Sequence, residues 1–297
     1  MEYIPAKTIV TRTKSPGSWF GIEYNMNIYK GCCHGCIYCD SRSECYRIDR
    51  FDTVRAKENA LQIIRDDLRR KMRTGVVGTG AMSDPYNPFE KGLELTRHAL
   101  ELISAYGFGA SIATKSTLLV RDIDILTEIM AYAPVICKIT ITTADVELCK
   151  KIEPGVDDSL KRFAMLAKLA EAGIFAGVLL MPLLPFIEDT KENVLRIVRE
   201  TAAAGGKFIY PAFGVTLRQN QREWYFDKLN QLFPEAGYVE KYRKYYGSSY
   251  ECRSPASKEL WSVFSKECEK YQIRYKMKDI ISGYKQKYQI SQLSLFD

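Results

Sequence analysis

The chain of 297 residues contains no apolar run long enough to span a bilayer. Its N-terminal segment, MEYIPAKTIVTRTK, lacks the apolar core of a signal peptide, so we expect a cytoplasmic protein. Nine cysteines, an odd number with scattered outliers, do not form the pattern of a disulfide framework. A hydrophobic content of 46% is enough for a sizeable core and excludes collagen-like, coiled-coil and disordered classes.

The sequence also has few metal-binding signals of the common kinds. It has only two histidines, His34 and His98, and no second C-x2-C pair that could complete a zinc site with four ligands. What it does contain is the stretch NMNIYKGCCHGCIYCD, residues 25–40, in which Cys32, Cys36 and Cys39 form a C-x3-C-x2-C pattern. This loop follows a short apolar run, residues 26–29, that we predict to be a strand.

Three closely spaced cysteines fit an iron–sulfur cluster that keeps one iron open. Electron-transfer clusters usually take four cysteines, so a set of three leaves one iron for a small molecule. The alternative is a group of buried structural thiols, but Gly31 and Gly35 indicate a tight loop, which is a poor place to bury them. Cys33, inside the spacing, is predicted to be a bystander.

The stretch resembles the signature of the radical S-adenosylmethionine enzymes, including the aromatic Tyr38 just before the last cysteine. The resemblance implies a [4Fe-4S] cluster on Cys32, Cys36 and Cys39, with S-adenosyl-L-methionine bound at the open iron. One-electron reduction would then release a 5′-deoxyadenosyl radical. It also implies that Tyr38 offers its backbone to the adenine, and that an electron donor such as flavodoxin or ferredoxin acts as partner.

Downstream, six predicted strands alternate with helices, which calls for parallel strands in an open doubly wound sheet or a barrel. No glycine-rich dinucleotide fingerprint supports the doubly wound sheet. The resemblance favours a six-stranded partial (β/α) barrel in an α/β fold. We predict an irregular lead-in over 1–24, the barrel over 25–214, an appendage of three helices over 215–288 and a flexible tail over 289–297. Thr53 to Met72 is predicted to be one helix.

In either architecture, active groups lie where parallel strands end. The strand-end motifs SDPYNP, ATKS, ITITTAD, with EPG just downstream, and MPLLPFIED resemble those of the spore photoproduct lyase-like branch of the superfamily. This branch contains DNA repair enzymes. By position in these motifs, the resemblance assigns Ser83, Lys115 and Thr140 to the ribose and methionine parts of S-adenosylmethionine. It pairs Arg162 with the cofactor carboxylate. Asp84 is expected to cap its turn.

One position departs from that branch. Spore photoproduct lyase itself carries a cysteine two residues before the serine of the second-strand loop, and this cysteine donates a hydrogen atom to the product radical. Here the position is Ala81, which has no S–H bond to donate. The identity of the hydrogen donor is therefore left open.

The last quarter of the chain is basic and rich in tyrosine. From residue 216 onward there are 15 Lys and Arg against 10 Asp and Glu, and 10 of the 19 tyrosines. The run Lys241 to Tyr246 interleaves cations with aromatic rings, as a surface that binds nucleic acid would. A solvated helix with buried tyrosines fits the same pattern.

The chain ends in QLSLFD, and QLSLF resembles the peptide by which bacterial replication and repair proteins dock on the DNA sliding clamp. Leu293, Leu295 and Phe296 would be apolar anchors and Gln292 would fix the register. An ordinary amphipathic terminus is the alternative.

Together these features predict a radical enzyme that acts on nucleic acid, with damaged DNA as substrate in a lyase-like repair reaction. Two alternatives stay open at this point. The same chemistry could act on RNA, a peptide or a metabolite, or the chain could be a non-enzymatic iron–sulfur adaptor bound to the clamp.

Overall fold

A computed structural model describes residues 1–80 and 82–288 of the chain. Ala81 and the tail that carries Gln292, Leu293, Leu295 and Phe296 lie outside the described residues. None of the helices between residues 1 and 288 that the structure describes combines the length and the apolar character that a bilayer crossing requires.

The strands and helices alternate through the first two thirds of the chain. In chain order the strands are β1 (Glu2–Ile4), β2 (Val10–Arg12), β3 (Tyr24–Met26), β4 (Tyr29–Lys30), β5 (Arg55–Lys57), β6 (Val76–Thr79), β7 (Gly109–Thr114), β8 (Val135–Thr140), β9 (Phe175–Leu180), β10 (Phe208–Pro211), β11 (Gly214–Thr216) and β12 (Glu251–Arg253). The helices are α1 (Ala60–Arg69), α2 (Glu90–Leu93), α3 (Leu95–Ala105), α4 (Ile123–Met130), α5 (Val146–Ile152), α6 (Ser159–Glu171), α7 (Lys191–Ala203), α8 (Gln221–Leu232), α9 (Tyr238–Tyr246), α10 (Ser257–Lys270) and α11 (Met277–Lys285).

The main sheet has the strand order β10-β9-β8-β7-β6-β3-β2. Strands β3 and β6 to β10 run parallel, and β2 pairs antiparallel with β3 at the edge. Six parallel strands joined by helices make the α/β fold a partial (β/α) barrel, which confirms the predicted architecture and strand count. The first parallel strand lies at Tyr24–Met26, slightly earlier than predicted, and the short strand β4 of the small sheet lies between it and the cysteines.

The two faces of the sheet have different chemistry because side chains alternate along each strand. On β8, Cys137 and Ile139 belong to the large core under the helices, together with Ile112 of β7 and Val178 of β9. The alternate residues face the barrel interior. There, Val76, Ile136 and Phe208 pack with Phe20, Ile280 and Tyr284 in a second apolar cluster. Side chains from the N-terminal segment and from α11 therefore fill one end of the lumen.

The segment over residues 13–22, between β2 and β3, closes the gap between the edge strands, which do not pair. The Phe20 ring lies 5.3 Å from that of Tyr210 on β10, and the Trp19 ring also lies 5.3 Å from Tyr210. Tyr284 of α11 donates a hydrogen bond to the Phe20 carbonyl at 2.6 Å. The lead-in therefore forms part of the barrel wall and includes two strands, whereas the sequence predicted an irregular segment.

The C-terminal part packs against the barrel and extends it. α10 lies on α7, and its Phe264 is fully buried in the main core. Ile209 N of β10 donates to the Arg274 carbonyl at 2.9 Å, so this part also covers the edge of β10. Three helices were predicted beyond Gly214, and the structure adds α11 and the ribbon of β11 with β12.

The predicted helix over Thr53–Met72 is shorter than expected. Residues Arg55–Lys57 form β5, which pairs with β1 and β4 in a small separate sheet, and α1 starts only at Ala60. Long-range pairing with the N-terminal strand overrides the local helical pattern at these residues.

Candidate active site

The loop with the spaced cysteines is held by backbone contacts on both sides. Cys32 N donates to the Phe51 carbonyl at 2.8 Å, and Ile37 N donates to the Ile152 carbonyl at 3.0 Å. Gly31 has a φ of +84°, and a Cβ there would lie 2.4 Å from the Thr53 carbonyl oxygen. Only glycine permits this path, so the fixed turn presents the following thiols at the carboxyl edge of the sheet.

A second loop, residues 153–155, locks the same turn from the other side. Gly155 N donates to the His34 carbonyl at 2.9 Å, and a Cβ at Gly155 would lie 2.6 Å from that oxygen. The EPG motif after the fourth parallel strand of the barrel is therefore a structural partner of the cysteine loop.

The thiols of Cys32, Cys36 and Cys39 are all reduced. Burial raises the pKa of Cys36 and of Cys39. For Cys32 burial acts in the same direction, but the hydrogen bond and charge of His34 outweigh it, so the pKa of this thiol is lowered. Thiolates at Cys36 and Cys39 therefore need a metal or a cation beside them to be stable.

Among the described residues, no group of three or more His, Cys, Asp or Glu could hold a single metal ion. An iron–sulfur cluster does not require such a group, since each of its cysteines binds a different iron atom. Reduced cysteines on one rigid turn, without carboxylate or histidine ligands converging on a single point, match the donor set of a cluster better than that of zinc.

Lys115 supplies a positive charge next to these thiols, directly after β7. Burial disfavours its charged form, but Cys36, Glu153 and Cys39 outweigh burial and raise the pKa of Lys115. Its Nζ lies 5.6 Å from the centre of the Tyr38 ring. A permanent cation at this place suits a site that holds an anionic cluster and the carboxylate of a ligand.

Arg162 on α6 is fully buried, contrary to the usual exposure of helical arginines. Its Nη1 donates to the Thr140 carbonyl at 2.8 Å and its Nη2 lies 2.5 Å from Glu153 Oε2. The hydroxyl of Tyr38 also donates to Glu153. The structure therefore gives the guanidinium a protein carboxylate, and its pairing with a cofactor carboxylate stays a prediction.

Glu153 is the site residue that the sequence analysis did not assign. It is buried, yet Arg162 and Lys115 outweigh burial and lower its pKa, so it is a carboxylate at neutral pH. Its position in the EPG motif was the available signal. The Glu153 carboxylate joins Tyr38 of the cysteine loop to Arg162 and thereby fixes the loop to the barrel.

The remaining predicted cofactor residues lie at the same edge of the sheet. Ser83 and Thr140 are buried, and Ser83 Oγ donates to the Tyr29 carbonyl at 3.0 Å. The Tyr38 carbonyl, which was assigned to the adenine, accepts from Gln221 Nε2 of α8 at 3.2 Å. Lys115 lies near the Tyr38 ring, and Arg162 links the Thr140 carbonyl to Glu153 and so to Tyr38. The contacts of Tyr38, Ser83, Lys115 and Thr140 with a cofactor stay predictions.

Asp84 ties the strand-end loops together. Its carboxylate accepts from Tyr86 N at 2.9 Å, as expected of a turn cap, and from Lys115 N at 2.8 Å. His34 Nδ1 lies 3.5 Å from the same carboxylate. His98 is on α3, where it contacts Glu101 and takes no part in the site.

A cavity of about 500 Å³ lies inside the barrel. It extends along the lumen from the segment of residues 13–22 to the carboxyl ends of the strands, where Gly80 and Met181 line it. Trp19 stands at its rim with 44% of its surface exposed, and Lys138 lines its wall. This volume is typical of a cavity that binds a small molecule or a nucleotide.

Comparison with known proteins gives matches in both sequence and fold. The family model described as the radical SAM superfamily matches residues 26–209. An uncharacterised protein of Mycobacterium tuberculosis is 33% identical over 231 residues, which cover 75% of this chain and 67% of that protein. An uncharacterised protein of Methanocaldococcus jannaschii is 32% identical over 191 residues, covering 63% of this chain and 69% of that protein.

Among solved structures, spore photoproduct lyase complexed with dinucleoside spore photoproduct superposes with a TM-score of 0.63. The match covers 91% of this chain and 79% of that chain at 18% sequence identity. At this identity the comparison establishes a shared fold.

Proposed function

We propose that the chain, which belongs to the radical SAM superfamily, acts on nucleic acid, with damaged DNA as substrate. The chain is an enzyme that uses a [4Fe-4S] cluster and S-adenosyl-L-methionine. When bound, these groups supply a 5′-deoxyadenosyl radical that abstracts a hydrogen atom from a substrate. The reaction we propose is a lyase-like repair step. The observation that carries the proposal is the cavity in the barrel lumen, which reaches the carboxyl ends of β6 and β9, at the edge of the sheet where the cysteine loop also lies.

Each residue of the site has a proposed role that its position supports. Cys32, Cys36 and Cys39 hold the cluster on the rigid turn. Around it, Ser83, Lys115 and Thr140 orient S-adenosyl-L-methionine, with Lys115 as the cation for its carboxylate. Tyr38 offers its backbone to the adenine, and Arg162 acts through Glu153 to hold Tyr38 in place.

The walls of the lumen protect a reactive substrate. Ile136, Leu179 and Phe208 exclude water from one side of the cavity, and the Trp19 and Phe20 rings close the gap between the edge strands. A substrate radical in such a place meets few solvent molecules that could react with it.

A basic surface beside the barrel supports a polyanionic partner. Helix α9 exposes Lys241, Arg243 and Lys244, and the ring of Tyr245 is 62% exposed. The Tyr245 ring lies 5.8 Å from Phe186, in the loop that follows β9 at the carboxyl edge of the sheet. Tyr242 of α9 packs in one apolar cluster with Cys36 and Tyr38, so this basic helix lies beside the cysteine loop.

RNA, a peptide or a metabolite is the alternative substrate class. Purified protein should bind damaged and intact DNA more tightly than RNA of the same sequence, in titrations repeated across salt concentrations. Anaerobically reconstituted enzyme should form 5′-deoxyadenosine and alter a damaged oligonucleotide. Tighter binding of RNA, or 5′-deoxyadenosine formation that no damaged oligonucleotide changes, would overturn DNA as the substrate.

An iron–sulfur adaptor docked on the sliding clamp is the non-enzymatic hypothesis from the sequence, and membership of an enzyme superfamily does not favour it. The docking of Gln292, Leu293, Leu295 and Phe296 on the clamp, and the supply of electrons by flavodoxin or ferredoxin, stay predictions.

A further inference from the structure

Lys138 on β8 is a buried cation that the cofactor site does not use. Only 4% of its surface is exposed. Its neighbours Cys137 and Ile139 face the helices, so Lys138 faces the lumen, where it lines the cavity. Its Nζ donates to Ser111 Oγ at 2.7 Å and lies 4.9 Å from the Phe20 ring.

No carboxylate among the described residues lies within ion-pair distance of Lys138, unlike the buried Arg162, which has Glu153. A buried charge without a counter-charge costs free energy, and burial accordingly lowers the pKa of Lys138 to about 8. The side chain is thus mainly protonated at pH 7, and it lines the cavity. An anion bound in the cavity would supply the missing counter-charge.

The residues beside Lys138 in the sheet are small. In the sheet register, Lys138 is paired with Ala113 on β7 and with Gly177 on β9. Neither neighbour has a polar side chain that could pair with the ammonium, and the Phe208 ring packs over Gly177. The cavity of about 500 Å³ includes Ala113 and Lys138 in its lining.

One hydroxyl of the cavity lacks a hydrogen-bond partner. Thr13 Oγ1 is buried and has no hydrogen-bond partner, and Thr13 lines the same cavity. The lining further includes Ser15, Ser18 and Asn25, and Trp19 presents an aromatic ring at the rim. A cation, hydroxyl donors and an aromatic face are the groups that recognise a nucleotide: the phosphate by the first two and the base by the third.

We propose that Lys138, assisted by the Thr13 hydroxyl, binds a phosphodiester of the nucleic-acid substrate inside the barrel and so sets which nucleotide faces the cofactor. This inference rests on the proposed function, since it names the group by which the same cavity holds its substrate. Lys138 would be a substrate-binding residue, separate from the cofactor residues at the strand ends.

The test compares two dinucleotides that differ only in charge: thymidylyl-thymidine with its natural phosphodiester, and the neutral methylphosphonate analogue. Reconstituted enzyme with S-adenosyl-L-methionine is titrated with each. We expect the wild type to prefer the phosphodiester by about tenfold, which is typical of a charge-assisted hydrogen bond. Lys138→Met should abolish this preference, and Lys138→Arg should retain part of it.

Two further variants make the test sharp. Lys168→Met removes an exposed lysine on the outer face of α6 and should behave as wild type. Thr13→Val removes the unpartnered hydroxyl and should weaken the preference for the phosphodiester, which keeps the test informative if Lys138→Met does not fold. Equal wild-type affinity for both dinucleotides, or an unchanged preference in Lys138→Met, would overturn the role of Lys138 but leave a nucleic-acid substrate intact.

A titration with inorganic phosphate separates the two proposals. Phosphate binding that depends on Lys138, without binding of either dinucleotide, would overturn both the nucleic-acid substrate and the phosphodiester, and would leave a site for a small phosphate compound. Binding of the phosphodiester that depends on Lys138, with much weaker binding of free phosphate, is the result that supports the inference.

Discussion

Cys33 and Cys36 lie in the same loop, but only Cys36 belongs to the C-x3-C-x2-C set. Cys36 is buried, and Cys33 is half-buried against the main core. We expect Cys36→Ala to abolish cluster absorbance and S-adenosyl-L-methionine cleavage, because it removes one of three iron ligands. Cys33→Ala is the matched control and should keep both. A Cys36→Ala protein with full absorbance and cleavage would refute the cluster assignment.

Lys138 gives a second prediction, on stability and pH. Its pKa is about 8 in the folded chain against 10.5 when unfolded, so between these values the unfolded chain binds more protons. The Lys138 contribution to the free energy of unfolding should therefore rise as pH increases from 8 to 10.5. Below pH 8 the buried charge costs about 3 kcal/mol.

Lys138→Met should remove this cost at the expense of the Ser111 hydrogen bond, worth about 1 kcal/mol. We expect a gain of about 2 kcal/mol at pH 7, measured by denaturant unfolding, and no gain at pH 10.5. Lys168→Met should change neither value. A variant that is less stable than wild type at pH 7 would show that the ammonium has a favourable partner in the folded chain.

At the scale of elements, α9 tests the proposed nucleic-acid surface. The sequence predicts alternating cations and rings over Lys241 to Tyr246, but Tyr242 is fully buried, and Tyr246 is half-buried in the same cluster. Only Tyr245 presents an open ring. The interleaved pattern thus combines a packing face with an exposed basic face.

Reversing two charges on that face should weaken DNA binding. For the double variant Lys241→Glu with Lys244→Glu we expect a loss of about tenfold or more at low salt, and a shallower dependence of affinity on salt concentration. Fluorescence anisotropy with a labelled oligonucleotide measures both. Lys278→Glu on α11 alters an exposed lysine elsewhere and serves as the control. Affinity equal to wild type would exclude α9 from the binding surface.

The elements predicted best from the sequence are those with a strong local pattern. The apolar runs of β7, β8 and β9 identify buried parallel strands, and the side chains of Asp158 and Thr190 cap the starts of α6 and α7. The three thiols could likewise be found by spacing alone.

What was missed depends on contacts between residues distant in sequence. Residues 55–57 form a strand only because β1 and β4 lie beside them, and the Glu153 carboxylate gains its role from Tyr38 and Arg162. The sequence gives no signal for a buried lysine such as Lys138. Side chains of a strand alternate between the two faces of the sheet, and which face Lys138 takes is known only from the structure.

At the scale of the whole molecule, the predicted boundary after Gly214 does not separate two independent cores. Leu260 and Phe264 of α10 belong to the same core as the barrel strands, and Ile280 of α11 packs in the lumen cluster. We expect Phe264→Ala to destabilise the chain by about 3–5 kcal/mol while unfolding stays one cooperative transition.

In the Phe264→Ala variant, the backbone amides of β10 as well as those of α10 should exchange hydrogen faster than in the wild type. The conservative control is Ser262→Ala, at an exposed position of the same helix. Two separate unfolding transitions, with barrel protection unchanged, would instead establish the appendage as a unit of its own.

The Trp19 and Phe20 rings bridge strands that share no ladder of backbone hydrogen bonds. The Tyr284 hydrogen bond to the Phe20 carbonyl adds to these contacts, so side chains rather than paired strands hold the wall closed here. The barrel wall is therefore continuous in side-chain packing but interrupted in backbone pairing at one place, between β10 and the segment of residues 13–22.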